Sequence, residues 1–238
     1  AEIKTRNYAA IIEARLDATL RRADATLLER VRTIPRAALN RQAVAIYARE
    51  LNAEMDSRLI NFPELAGLRV FDADGELLYT SDRASSPPTN IGDRNHFREL
   101  RDNPQAGLVF SDAGLSRITG RQSLFIARAL QDGQGAFRGG VFAGLDFNYV
   151  RKLFQSLNLG AHGVAAIYRS DNFTPVVLWP MAENKIDSPL PPDNPTRAAV
   201  TAGKKTETIE LSAFSDGIVR IYSAHVLDRY PFFVSVGL

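Results

Sequence analysis

The 238-residue chain contains no cysteine. That absence rules out a disulfide framework, a thiolate nucleophile and any zinc site built on cysteine. Histidine is nearly as scarce: His96, His162 and His225 are the three present, and no two sit at a chelating spacing. With no calcium-loop pattern either, the sequence predicts no metal and no other cofactor. Long apolar runs are missing, since no stretch approaches the roughly 20 residues that a membrane-spanning helix needs. A dominant charge is missing too. The formal net charge is +2, and charges in the N-terminal third alternate in sign, which is not the basic stripe of a nucleic-acid-binding surface. Catalytic patterns are also absent. There is no Gly-x-Ser-x-Gly elbow, and Gly139-Gly140 lies in a strand-like run and so cannot open a phosphate-binding helix. Asp72, Asp74, Asp112 and Asp146 show no spacing that singles out a hydrolytic pair. No catalytic residue is predicted.

What is present suits a packed protein. Hydrophobic residues make up 45% and charged residues 24%, an ordinary balance for a globular core, and the length allows one large or two small domains. Residues from about Tyr8 to Ile34 read as one long helix. Ile12, Leu16, Leu20, Ala23, Leu27, Val31 and Ile34 step by four or three, a rhythm close to 3.6 that keeps the stripe straight. Glu13, Arg15, Asp17, Arg21, Arg22, Asp24, Glu29 and Arg30 fall on the opposite face. The stripe is longer than one small domain needs to cover, so pairing with the same helix of a second copy is expected. Pro35 ends or kinks this helix, and a second is expected from about Ala37 to Leu59, burying Val44, Tyr47, Leu51 and Met55.

Strand signals then take over. Gly67–Phe71 and Glu76–Thr80 flank a turn in which Gly75 takes positive φ, a hairpin. A loop from Ser81 to Thr89 with Ser85-Ser86-Pro87-Pro88 leads to the polar stretch Ile91–Asp102. Further strands are expected at 108–110, 122–130 and 137–147, then a short helix to Leu157. The plan recurs downstream: a hairpin at 163–168 and 175–179, a loop with Pro180, Pro189, Pro191, Pro192 and Pro195, and a short helix at 196–202. Strands at 206–211, 218–227 and 232–236 close it. The offset of roughly 95 residues marks an internal duplication, and sheets fed by outside helices indicate α+β. Ending on the apolar run Pro231–Val236, the chain is expected to be a piece of a longer protein that continues on both sides.

The stretch Ile91–Asp102 carries the chemistry. Asn90 or Asp93 can cap a short helix on which Phe97 and Leu100 share a face. Arg94 then places a planar fork of donors beside an aromatic wall, suited to a carboxylate, and His96 adds a donor when protonated. The plain alternative is a surface helix with Phe97 in the core and Arg94 paired to Asp93 or Asp112. Alternation along the strand from Gln122 puts Ser123, Phe125 and Ala127 on one face and Leu124, Ile126 and Arg128 on the other. The sequence does not tell which face lines a pocket. Arg121 and Arg128 could reach the same sheet face, and the plain alternative for each is a solvated edge or a salt bridge.

A long N-terminal helix followed by two such units resembles the double-Cache (PAS-like) sensor modules of bacterial histidine kinases, diguanylate cyclases and chemotaxis receptors. The likeness is sharpest at Ile91-Gly92-Asp93-Arg94-Asn95-His96-Phe97-Arg98 and Gly139–Asp146, and continues through Leu157–Gly163. It implies a helical stalk and dimerisation segment over 1–62, a membrane-distal, ligand-binding Cache unit over 63–157 and a membrane-proximal unit over 158–238. Family members that bind amino acids carry Arg-x-Trp-Tyr on the pocket helix and an Asp ending the last strand of the first unit. Arg94 matches the carboxylate-gripping Arg and Asp146 the ammonium-accepting Asp. At the Trp and Tyr positions stand His96 and Phe97, and near Phe110 a ring without a hydroxyl replaces a Tyr. The implied site is Arg94, His96, Phe97, Phe110, Asp112, Arg121, Ser123, Phe125 and Asp146. The implied protein is the periplasmic, non-enzymatic sensing portion of an inner-membrane receptor, anchored by flanking helices and dimeric through its N-terminal helix. Its ligand is a small carboxylate or amino-acid-like molecule. The alternatives are a ligand-free dimerisation or interaction module of such a receptor, or a secreted solute-binding protein or enzyme.

Overall fold

The structure, a computed structural model, describes residues 1–82, 88–180, 188–213 and 216–238. Ser85, Ser86 and Pro87 of the first expected loop, and part of the proline-rich loop after Pro180, lie outside the described residues. The architecture is α+β: a long helix, shorter helices and two antiparallel sheets. The chain forms two compact units, Arg21–Phe147, and Ala1–Leu20 with Asn148–Leu238.

Helix α1 (Glu2–Thr33) begins six residues before the apolar stripe suggests and stops two residues before Pro35, which has no amide to continue it. Ala9, Ile12, Leu16, Leu20, Ala23, Leu27 and Ile34 are buried within this one chain. Arg30 departs from its expected place on the polar face. It is 1% exposed and pairs with Glu54 at 2.7 Å, holding that carboxyl below its usual range. Val31 is correspondingly only half-buried. The second helix, α2 (Val44–Leu59), is shorter than expected because Arg36–Ala38 and Arg41–Ala43 form single 3₁₀ turns. Leu51 and Met55 are buried, whereas Val44 and Tyr47 are half-exposed.

In the unit Arg21–Phe147, strands β1 (Leu65–Asp72), β2 (Leu77–Thr80), β3 (Val109–Phe110), β4 (Gly114–Leu115), β5 (Gln122–Gln131) and β6 (Phe137–Asp146) form one sheet. Its order is β2-β1-β6-β5-β3, with β4 also paired to β5. Gly75 has φ +84° in the hairpin turn, and a Cβ there would lie 2.5 Å from the Gly92 nitrogen, so only glycine fits. Helix α3 (Asn95–Asp102) closes one face: Phe97 and Leu100, both 0% exposed, pack with Phe71, Val109, Ala127 and Phe142. Helix α2 meets β1 and β2, where the Asn52 side chain accepts from the Thr80 amide at 2.9 Å and the Tyr79 hydroxyl donates to Ala38 O at 2.7 Å.

In the other unit, after α4 (Phe147–Ser156), strands β7 (Val164–Arg169), β8 (Pro175–Trp179), β9 (Thr206–Ser212), β10 (Val219–Val226) and β11 (Phe232–Gly237) order as β8-β7-β11-β10-β9. Helix α5 (Pro195–Thr201) is capped by Asn194, whose side chain accepts from the Arg197 amide at 3.2 Å. Phe173, Ala224 and Phe233 form its core, with Tyr168 stacked on Phe233 at 5.2 Å. Both sheets run hairpin, last strand, then the two middle strands in reverse, so the expected duplication is present in the topology.

Candidate functional site

A cavity of about 300 Å³ opens in the unit Arg21–Phe147, at the lower end of the range for small-molecule sites. One wall is α3 and its approach, giving Ile91, Asp93, Arg94 and His96. The opposite wall is the segment from Ser111 to Ile118, and the floor is sheet: Arg69 and Phe71 from β1, Ser123 and Phe125 from β5, Phe142 from β6. Antiparallel alternation puts Ser123 and Phe125 on one side of β5, and that side faces the cavity.

Among the described residues three guanidinium groups line the space, with different partners. Arg69 is 2% exposed and donates to the Asp82 carboxylate at 2.8 Å and 3.1 Å. Arg117 grips both Asp93 oxygens at 2.7 Å and donates to Asn90 O at 2.6 Å, and holds the Asp93 carboxyl down to about 2. Arg94 is half-buried. Among the described residues its guanidinium donates to a carbonyl, Leu115 O, at 3.3 Å. The expected cap of α3 is not formed. Arg94 itself occupies the N-cap with extended backbone (ψ 137°) and no side-chain capping bond, because Asp93 turns to Arg117 and the Asn90 side chain accepts from Gly92 N.

His96 is 8% exposed, its ring near-parallel to Phe125 at 6.0 Å and edge-on to Phe142 at 5.8 Å. Burial, reinforced by the Arg94 charge and opposed by Asp112, pushes its pKa down to about 4. At neutral pH the imidazole is therefore uncharged, and the protonated donor expected from sequence does not form there. The Ser111 hydroxyl is engaged twice, donating to Asp112 O at 2.7 Å and accepting from Phe125 N at 2.8 Å, which fixes the wall to β5.

Neither a protein-family model nor a curated protein matches this sequence. Solved structures do. The extracellular domain of rpHK1S-Z16, described as a histidine kinase, superposes with TM-score 0.80 at 21% identity, over 99% of this chain and 93% of that one. The extracellular domain of soHK1S-Z6, described likewise, gives 0.71 at 13%, over 98% and 92%. The ligand-binding domain of the Pseudomonas fluorescens chemoreceptor CtaA, in complex with L-serine, gives 0.68 at 15%, over 97% and 93%. The fold is that of the double-Cache sensor domains.

Within this double-Cache fold the nine residues singled out from sequence divide. Arg94, His96, Asp112, Ser123 and Phe125 come together around the cavity. Phe97 does not line it, because its ring is consumed by the core beneath α3. Phe110 lies on β3 outside the lining, and Arg121 is exposed before β5. Asp146 stands in register with Ser123 at the end of β6 but is not among the lining residues. Arg128 takes the salt-bridge option, 2.5 Å from Asp24. Arg69, Phe71, Ser111, Arg117 and Phe142 also line it without having been singled out. An arginine inside the apolar run Leu65–Phe71 was the one available signal, since a charge there must be buried with a partner. No group of three metal-ligating side chains occurs among the described residues.

Proposed function

We propose that this chain is the extracytoplasmic sensing portion of a membrane signal-transduction receptor, a sensor histidine kinase or diguanylate cyclase, and that it acts by binding a small carboxylate. Region 63–157 would be the ligand-binding, membrane-distal unit, 158–238 the membrane-proximal one and 1–62 the helical segment. The fold supports the sensor role, and the chemoreceptor domain of like fold was solved with an amino acid bound. One observation carries the carboxylate: among the described residues the Arg94 guanidinium, which lines the cavity, is on a carbonyl, while Arg69 and Arg117 are each matched to a carboxylate. An arriving carboxylate gains the strong paired bonds that a carbonyl cannot supply.

The test is a thermal-shift and calorimetric screen of carboxylates, amino acids and amines. A ligand at about 100 times its dissociation constant adds roughly 2.7 kcal/mol of stability. Arg94→Ala should abolish that shift while leaving the ligand-free melting curve in place; retention of full affinity would overturn the assignment. A second copy, as part of the same reading, would meet α1 on the face carrying Ile3 and Ile11, which are 75% and 48% exposed, since the apolar stripe is already buried within the chain.

A further inference from the structure

We infer that the ligand of this cavity is an aromatic carboxylate without an ammonium group, a molecule of the benzoate type; the inference rests on the carboxylate reading above and narrows it. Its first support is the distribution of charge. Recognition of an ammonium needs a carboxylate turned into the space, and the lining offers Asp93 and Asp112. Both Asp93 oxygens are occupied by Arg117. Asp112 is solvent-exposed, where water competes for any cation it meets. Asp146, the residue that would serve an amine in the related amino-acid sensors, lies outside the lining. Among the described residues the lining thus carries a cationic anchor and, beside it, one carboxylate held by Arg117 and one exposed to solvent.

The second support is the body of the cavity. Phe71, Phe125 and Phe142 face it from three adjacent strands, and His96 closes the side nearest α3. Phe71 and Phe142 meet edge to face at 5.2 Å, and His96 and Phe125 lie within 11° of parallel. The lining rings thus pack on one another in both edge-on and stacked geometry, a surround that rewards a flat ring over a saturated body of the same size. His96, neutral at physiological pH, behaves as part of this aromatic wall and adds no charge. Arg94 sits at one end of the wall, at the start of α3, so a carboxylate attached directly to a ring, or one carbon from it, reaches the guanidinium while the ring lies against the sheet.

The experiment is calorimetry on the whole chain with benzoate, phenylacetate, cyclohexanecarboxylate, propionate, benzylamine and alanine. Benzoate or phenylacetate should bind tightest, about three- to tenfold tighter than cyclohexanecarboxylate, with benzylamine silent. Phe125→Leu, which keeps an apolar side chain of similar bulk, should erase the preference for the ring yet retain binding of cyclohexanecarboxylate. Arg94→Ala should lose every carboxylate. If propionate or alanine binds through Arg94 and the ring acids do not, the aromatic inference falls while the carboxylate reading stands. If no carboxylate binding depends on Arg94, both fall.

Discussion

At the scale of single residues, His96 makes a prediction that is independent of any ligand. The folded chain holds its imidazole neutral down to about pH 4, whereas an unfolded histidine protonates near 6.5. Between those values the unfolded state binds a proton that the folded state refuses, so stability is full above pH 6.5 and falls as the pH drops toward 4. The limiting loss is on the order of 3 kcal/mol. Thermal melts from pH 7 to 4.5 should show a steeper decline in the parent chain than in His96→Gln, and equal slopes would mean that the imidazole is not buried in the neutral form. The residue scale is also where the sequence was least informative. Arg94 could be picked out because its neighbours matched a known pattern. Arg117 could not, because what places it in the site is a bidentate pair with Asp93 across a 24-residue gap, and nothing local to either residue announces it.

At the scale of elements, periodicity was legible and termini were not. The stripe of α1 and the Phe97–Leu100 face of α3 were readable because burial imposes a 3.6-residue period on sequence. The start of α2 was not, since the two 3₁₀ turns before it share its residue preferences. Strand β4 is two residues long and has no period to detect. The packing of α3 gives a direct test. Phe97→Ala should destabilise the chain by about 3–5 kcal/mol by opening a hole in a closed core, and Arg98→Ala, on the exposed side of the same turn, should change stability by less than about 0.5 kcal/mol. Urea unfolding of both variants separates them, and similar losses would show that α3 is held by something other than its apolar face.

At the scale of the molecule, the expectation of a dimer along α1 moves to a different surface of the helix. With the apolar stripe already buried, the exposed Ile3 and Ile11 are what remains to meet a second copy. Sedimentation equilibrium of the parent chain against Ile3→Glu with Ile11→Glu should show self-association that weakens in the variant, with unchanged melting of the monomer. A monomeric parent chain at all concentrations would remove the dimer from the reading.

The common strand order of the two sheets allows their paired residues to be compared position by position. The pairing irregularity falls between Val70 and Phe71 in one sheet and between Ile167 and Tyr168 in the other. Aligned on it, Phe71 faces Gly140 where Tyr168 faces Phe233, and Arg69 faces Phe142 where Ala166 faces Ser235. The two sheets thus differ by a ring moved two residues along the strand, roughly 7 Å. Gly140 permits the move, since a Cβ there would come within 2.7 Å of the Phe142 ring. Copying the sister pattern with Gly140→Phe and Phe142→Ser should return a folded chain without the carboxylate binding proposed above, whereas Gly140→Phe alone should fail by collision. If the double variant folds, the space in one sheet is set by two side chains and not by the backbone plan, which the two sheets share.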